Sequence, residues 1–315
     1  ILKKRKKPFV IEIGSNDGTL LKKMIKYNVK VLGIEPAKNL AKLSKKIGIK
    51  TENQFFNLKL AKNISKKEKA DLIIANNVLG HIDNLNEFIK GISQLLKNDG
   101  VFVFEVPHAL NLIKNLEFDT IYHEHLSYHS VIPLISFFRK NGMELIEANK
   151  IETHGGSLRC VAKLKHGKYK IRKSVSDCVN LERKLSMDKL DTYKKFFNRL
   201  ETKKHELQKL FEKIKKDKKT IIGFGAPAKA TTFMYQFCIN EKIIDCIVDD
   251  SPLKQGLFSP GMHIPVYSSE KIYEKKPDYI IILAWNFSQS IMKKHEKFKN
   301  NGGHFIIPLP KLEVY

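Results

Sequence analysis

Two glycine-bearing turns, each between a short apolar run and a stretch of helical period, constrain this 315-residue chain more than any other feature. The first, Glu12-Ile13-Gly14-Ser15-Asn16-Asp17-Gly18, follows the run Phe9–Ile13 and precedes the helical spacing of Gly18–Tyr27. The second, Gly223-Phe224-Gly225-Ala226-Pro227-Ala228, follows Thr220–Phe224. A strand that turns on glycine into a helix opens a parallel βαβ unit. After the first turn the rhythm continues, with strands at Val31–Ile34, Leu72–Ala75 and Val101–Val106 and helices at Ala37–Ile47 and Leu85–Leu96. Two further strands, Met143–Ile151 and Leu158–Leu164, are joined through Thr153-His154-Gly155-Gly156 in hairpin fashion, so the sheet should carry an antiparallel edge. After the second turn, strands are expected at Ile243–Val248, Tyr279–Ala284 and Phe305–Ile307.

Between the two halves, Val175–Lys216 keeps a helical period and is nearly free of Gly and Pro, the mark of a connector packed by its Leu and Phe stripe. The expected organisation is therefore α/β throughout. A basic stub over residues 1–8 precedes a Rossmann-like domain over 9–166, a helical connector over 167–217 and a second Rossmann-like domain over 218–315. The first residue is Ile rather than Met, which reads as a piece of a longer chain.

Composition removes several classes. Hydrophobic residues at 42% and charged residues at 29% suit a globular chain and not a disordered one. The longest apolar run, around Tyr279–Trp285, is strand-sized, which argues against a membrane protein. Cys160, Cys178, Cys238 and Cys246 form no C-x-x-C pair and read as buried thiols of a reducing, cytoplasmic compartment. The net charge of +24 invites a nucleic-acid reading, but only six of the 57 basic residues are arginine. Base readers favour arginine and interleave aromatics with basic patches. Here the lysines spread over nearly every helix-like segment, with one cluster at Lys3–Lys7, so no nucleic-acid partner is expected.

At the first turn, glycine lets backbone approach a ligand at the C-terminal edge of a parallel sheet. Glu35 follows Gly14 by 21 residues, at the end of the second strand, where a carboxylate can accept both hydroxyls of a ribose. Several adenosine cofactors would fit this pattern, and so would a tight turn with no ligand. Two details favour S-adenosylmethionine (SAM) over a dinucleotide. The spacing is E-x-G-x-x-x-G rather than G-x-G-x-x-G, and Asn16 and Asp17 stand where a pyrophosphate would need room. An acidic turn suits the amine-bearing methionine end. The cofactor candidates are Glu12, Gly14, Asn16, Asp17, Gly18 and Glu35, joined by Asn76 and Asn77 at the end of a later strand, which could equally be turn formers.

The segment Asp119-Thr120-Ile121-Tyr122-His123-Glu124-His125-Leu126-Ser127-Tyr128 gathers two histidines, two tyrosines and two carboxylates. A surface loop could carry such a cluster by chance. A metal site built from His123, His125 and His129 is disfavoured, because residues two apart share a face only on a strand and no cysteine or second acidic cluster is assigned nearby. Acid–base chemistry is the third reading, since histidine titrates near neutrality and a neighbouring carboxylate and phenol can orient it.

Taken in order, I-E-I-G-S-N-D-G-T-L-L, A-N-N-V, F-E-V-P-H, D-T-I-Y-H-E-H-L-S-Y, E-T-H-G-G-S-L-R and G-F-G-A-P-A-K-A resemble the SAM-dependent sugar C-methyltransferase family, which acts on nucleotide-linked keto-deoxysugars. The resemblance spans Val10 to about Trp285. Members usually begin with a small cysteine-bound zinc domain, whose residues this sequence does not include; zinc enters only with such an upstream domain. The resemblance implies that His125 is the base, that Tyr122 and Glu124 hold the sugar and the enolate, and that His154 with Gly155 and Gly156 borders the same pocket. It also implies that the second Rossmann-like domain helps form the sugar-nucleotide cleft.

The second turn satisfies G-x-G-x-x-A and is followed about 24 residues later by Asp249 and Asp250, which on motif alone is a dinucleotide fingerprint. Pro227 removes a donor where phosphate cradles use one, and Lys229 adds a cation just inside the helix. The turn, with Gly225 and Lys229, is therefore read as a grip on the substrate's diphosphate, a plain glycine turn being the alternative. The expected function is SAM-dependent C-methylation beside the ketone of a nucleotide-linked deoxysugar. Its rivals are an O- or N-methyltransferase of small metabolites and an NAD-dependent oxidoreductase.

Overall fold

The first strand, β1 (Phe9–Ile13), is buried along its whole length, as is nearly all of β4 (Ala70–Asn76). Strands this apolar need helices on both faces, which a doubly wound sheet provides. The computed structural model describes residues 6–153 and 156–315. His154 and Gly155 of the glycine turn, and residues 1–5 of the basic stub, lie outside the described residues.

Two compact units form. One comprises Ile1–Leu110 and Glu124–Met187, the other Asn111–His123 and Asp188–Tyr315. In the first unit, β1 and β4 are joined by β2 (Lys30–Ile34), β3 (Thr51–Glu52), β5 (Leu96–Pro107), β6 (Met143–Ile151) and β7 (Ser157–Leu164). Their order is β3-β2-β1-β4-β5-β7-β6, all parallel except β7, which runs antiparallel to both neighbours. The expected antiparallel element is thus one strand in from the edge.

Its helices are α1 (Thr19–Ile25), α2 (Lys38–Lys46), α3 (Leu58–Ser65), α4 (Leu85–Leu95), the start of α5 (Ala109–Asn115), α6 (Val131–Lys140) and α7 (Lys173–Lys184). Asn57 and Asn84 cap α3 and α4 by accepting the amides of Leu60 and Glu87. Pro133 sits in the first turn of α6, where its missing N–H has no helical partner to lose. The core fills one face of the sheet with Phe88, Phe102, Phe104 and Phe138.

After Asn111–His123, the second unit resumes with α8 (Leu190–Lys216). The helical period read as one connector is therefore two helices, separated by a turn in which Ser186 adopts a positive φ of 51°. Its sheet, β8 (Ile221–Phe224), β9 (Ile247–Val248), β10 (Val266–Tyr267), β11 (Tyr279–Ile282), β12 (His304–Ile307) and β13 (Glu313–Val314), has the order β10-β9-β8-β11-β12-β13. Helices α9 (Ala228–Gln236), α10 (Lys271–Lys275), α11 (Ser288–Lys294) and α12 (Glu296–Asn300) complete it. Among the described residues no helix is long and apolar enough to cross a membrane.

Candidate active site

In the first unit the strand order reverses between β1 and β4, and ligands of such sheets bind at the carboxyl ends of the strands flanking that point. Gly14 leaves β1 with φ 69°, and a Cβ there would stand 2.8 Å from Val78 Cγ2. Only glycine lets the turn pass so close to the end of β4. Glu35, directly after β2, holds this turn: Oε2 accepts from Asn16 N and Oε1 from Ala37 N, each at 2.9 Å. A carboxylate oxygen has a second acceptor lobe, so this role is compatible with ribose hydroxyls on the same group.

Asn16 and Asp17 shape the turn locally. Asn16 Oδ1 accepts from Asp17 N at 2.8 Å, and Asp17 Oδ1 accepts from Thr19 N at 3.0 Å. Hydrogen bonds from the Thr19 side chain and backbone hold the Asp17 carboxyl below its usual range. Gly18 is the buried N-cap residue of α1.

Glu12 is buried in β1, and among the described residues its Oε2 has no hydrogen-bond partner. Burial first, then the Asp17 and Glu35 carboxylates, push its carboxyl up to about 8. A cation beside it would restore its charge and supply the missing donor. The turn therefore fits the amine-bearing end of SAM.

At the end of β4, Asn76 is half-buried, and Asn77, at φ 55°, donates its N–H to Glu105 O at 2.9 Å. The short turn Leu79–His81 that follows carries the histidine-rich segment. Gly80 O accepts from Leu126 N at 2.7 Å and from Ser127 N at 3.3 Å. His81 Nδ1 lies 2.8 Å from Glu124 O, and the His81 and His125 rings are 4.9 Å apart between centroids. Glu124 and His125 are thereby brought beside the β4 end. His81 was not singled out from sequence; its only signal was its position five residues past Asn76. His129 is buried, and burial holds its imidazole below the ordinary range. Tyr122 and His123 belong to the second unit. No group of three or more His, Cys, Asp or Glu among the described residues could hold a metal ion.

In the second unit the glycine turn repeats the design. Gly225 has φ 93°, and a Cβ there would stand 2.7 Å from Ala284 Cβ, at the end of β11. Asp249 Oδ2 accepts from Ala226 N at 2.7 Å, as Glu35 does from Asn16. Lys229 Nζ lies 3.0 Å from Asp119 Oδ2 and 4.6 Å from the centroid of the Trp285 ring. Trp285 Nε1 donates to the same oxygen at 2.7 Å. Burial pushes the Asp119 carboxyl up, and the Lys229 ammonium is the strongest influence opposing it. The cation expected at a phosphate is thus held by a buried carboxylate that sequence reasoning did not connect with it.

Residues 1–148 match a family model described as a methyltransferase domain, and residues 152–310 one described as a C-methyltransferase C-terminal domain. The C-methyltransferase NovU of Streptomyces niveus is 33% identical over 306 residues, covering 97% of this chain and 73% of that protein. The ubiquinone biosynthesis O-methyltransferase of Pelagibacter ubique (strain HTCC1062) is 24% identical over 149 residues, 43% of this chain and 61% of that protein. A solved S-adenosylmethionine-dependent methyltransferase from Clostridium acetobutylicum aligns with TM-score 0.39 and 12% identity, over 51% of this chain and 84% of that one. The chain belongs to the C-methyltransferase family. It is a SAM-dependent enzyme that forms a bond from the donated methyl to carbon.

Proposed function

We propose that this enzyme methylates the carbon beside the ketone of a nucleotide-linked deoxysugar, with His125 as the base. The observation that carries the reading is the attachment of the His125 segment to the turn after β4, through Gly80 and His81. It is supported by the C-methyltransferase name of the relative that matches 97% of this chain.

An unactivated sugar carbon does not accept a methyl group; a neighbouring ketone makes its C–H acidic. His125 takes that proton onto a ring nitrogen, and the electron pair passes to the ketone oxygen as an enolate. Tyr122 and Glu124 hold the sugar and the enolate oxygen, a task for positioned hydrogen-bonding groups. Glu12, Gly14, Asn16, Asp17, Gly18 and Glu35, with Asn76 and Asn77, hold SAM. When bound, SAM would supply the methyl group, its methyl–sulfur bond breaking as the bond to the substrate carbon forms and the neutral thioether leaving. Gly225 and the start of α9 hold the diphosphate, with Lys229 shared between it and Asp119. Mass spectrometry of keto-deoxysugar nucleotides incubated with SAM tests this: a gain of one methyl on carbon is expected, and a methyl on oxygen or nitrogen would contradict it.

A further inference from the structure

Residues 124–130 form neither helix nor extended strand, so their backbone groups need partners elsewhere. One set is Gly80 and His81, beside the cofactor edge. The other lies past β5. His108 and His129 form an isolated parallel bridge, and Ala109 N donates to His129 O at 2.9 Å.

Behind this second anchor stands Glu182, on α7. Its Oε1 accepts from His108 Nε2 at 2.9 Å and from Val131 N at 2.6 Å, and its Oε2 from Ile132 N at 2.9 Å. Both side chains of the His108–Glu182 pair are 0% exposed. Val131 and Ile132 open α6, whose first amides lack partners inside the helix, and the Ser130 side chain caps nothing. Glu182 replaces that cap from about fifty residues away along the chain. The backbone of His108 also donates to Gly156 O at 3.3 Å, at the start of the strand pairing of β7. Among the described residues His108 Nδ1 has no partner, which leaves Nε2 and Glu182 to fix the ring.

We infer that Glu182 is a positioning residue for the reaction. It clamps His108 and the start of α6, and through them fixes the segment that presents His125. This rests on His125 being the base. A carboxylate accepting three donors at full burial is a strong clamp, because each bond is charge-assisted and none competes with water. A base displaced from its proton loses rate, whereas the SAM contacts around β1 and β2 stay in place.

The test uses the full chain and four variants: Glu182→Gln, His108→Leu, His108→Gln and His125→Ala. Read-outs are melting temperature, SAM affinity by calorimetry, turnover, and deuterium exchange at the substrate carbon without SAM. Glu182→Gln and His108→Leu should lose about ten- to a hundredfold in both turnover and exchange while Kd for SAM and KM for the sugar nucleotide stay within about twofold. His108→Gln, whose amide replaces the Nε2 donor, should recover most of that loss. A folded Glu182→Gln with wild-type turnover, or a loss shared equally with SAM and sugar affinity, would overturn the clamp. Should Glu182→Gln not fold, His108→Leu decides by the same criteria. Retained exchange in His125→Ala would overturn the base and the clamp together. Lost exchange there, with wild-type turnover in the other variants, would overturn the clamp alone.

Discussion

His81 Nδ1 lies 2.8 Å from the carbonyl oxygen of Glu124, a bond spanning 43 residues. A carbonyl only accepts, so Nδ1 is the donor of this bond. This bond, with the Leu126 and Ser127 amides on Gly80 O, sets the segment bearing His125 beside the switch-point strand. A segment without regular structure is thereby held by a rigid sheet, the usual way a fold presents reactive side chains.

Glu35 organises the cofactor turn from below. Glu35→Ala removes the acceptor of the Asn16 and Ala37 amides together with the carboxylate assigned to the ribose. Calorimetry should show SAM binding weakened by about 1–3 kcal/mol, the range for hydrogen-bonding groups left unpaired. Glu35→Gln, keeping one acceptor, should fall between. Unchanged affinity in a folded variant would refute the ribose assignment.

Glu12 gives the binding of SAM a pH signature. Its carboxyl is raised from 4.5 to about 8, so the folded protein binds a proton there that the unfolded chain has released. Stability should therefore fall as pH rises from about 4.5 to about 8, by up to a few kcal/mol from this group. A cationic ligand favours the carboxylate, so SAM binding should release close to one proton at pH 7 and tighten toward pH 8. Calorimetry in buffers of different ionisation enthalpy measures that release. Glu12→Gln should abolish it; a release that persists would place the titrating group elsewhere.

How much of this was legible before folding differs by element. Both glycine turns, their following carboxylates and the alternation of strand and helix stand in local sequence, because each is set by backbone geometry within a few residues. The three two-residue strands β3, β10 and β13 were missed, having too few residues to show a period. Helix α6 was hidden by Pro133, which reads as a breaker although a first-turn proline is tolerated. The break between α7 and α8 has neither Gly nor Pro to announce it. In the site, Glu124 and His125 were legible as a cluster. Glu182 was not, since it meets His108 across 74 residues and lies in a stretch that looks like solvated connector. Asp119 likewise meets Trp285 across 166 residues. Such pairings arise only from tertiary packing.

Lys229 has two roles that can be separated. Lys229→Ala should raise KM for the nucleotide sugar and leave SAM affinity unchanged. It should also lower the melting temperature, since a buried carboxylate losing its partner costs about 3–5 kcal/mol. In an Asp119→Asn background the stability loss should shrink and the KM effect persist. A KM effect that disappears with Asp119 would reduce Lys229 to a structural ion pair. NAD binding at micromolar levels would overturn the diphosphate reading of the Gly225 turn.

Base catalysis by His125 is tested most directly by solvent exchange. Incubated in deuterium oxide with the keto-sugar nucleotide and no SAM, the wild-type enzyme should wash deuterium into the carbon beside the ketone. His125→Ala should not, while still binding SAM and the nucleotide sugar, and its turnover should fall by about two to four orders of magnitude. Exchange that continues at the wild-type rate in His125→Ala would contradict the assignment and move the base to Glu124, Tyr122 or His123.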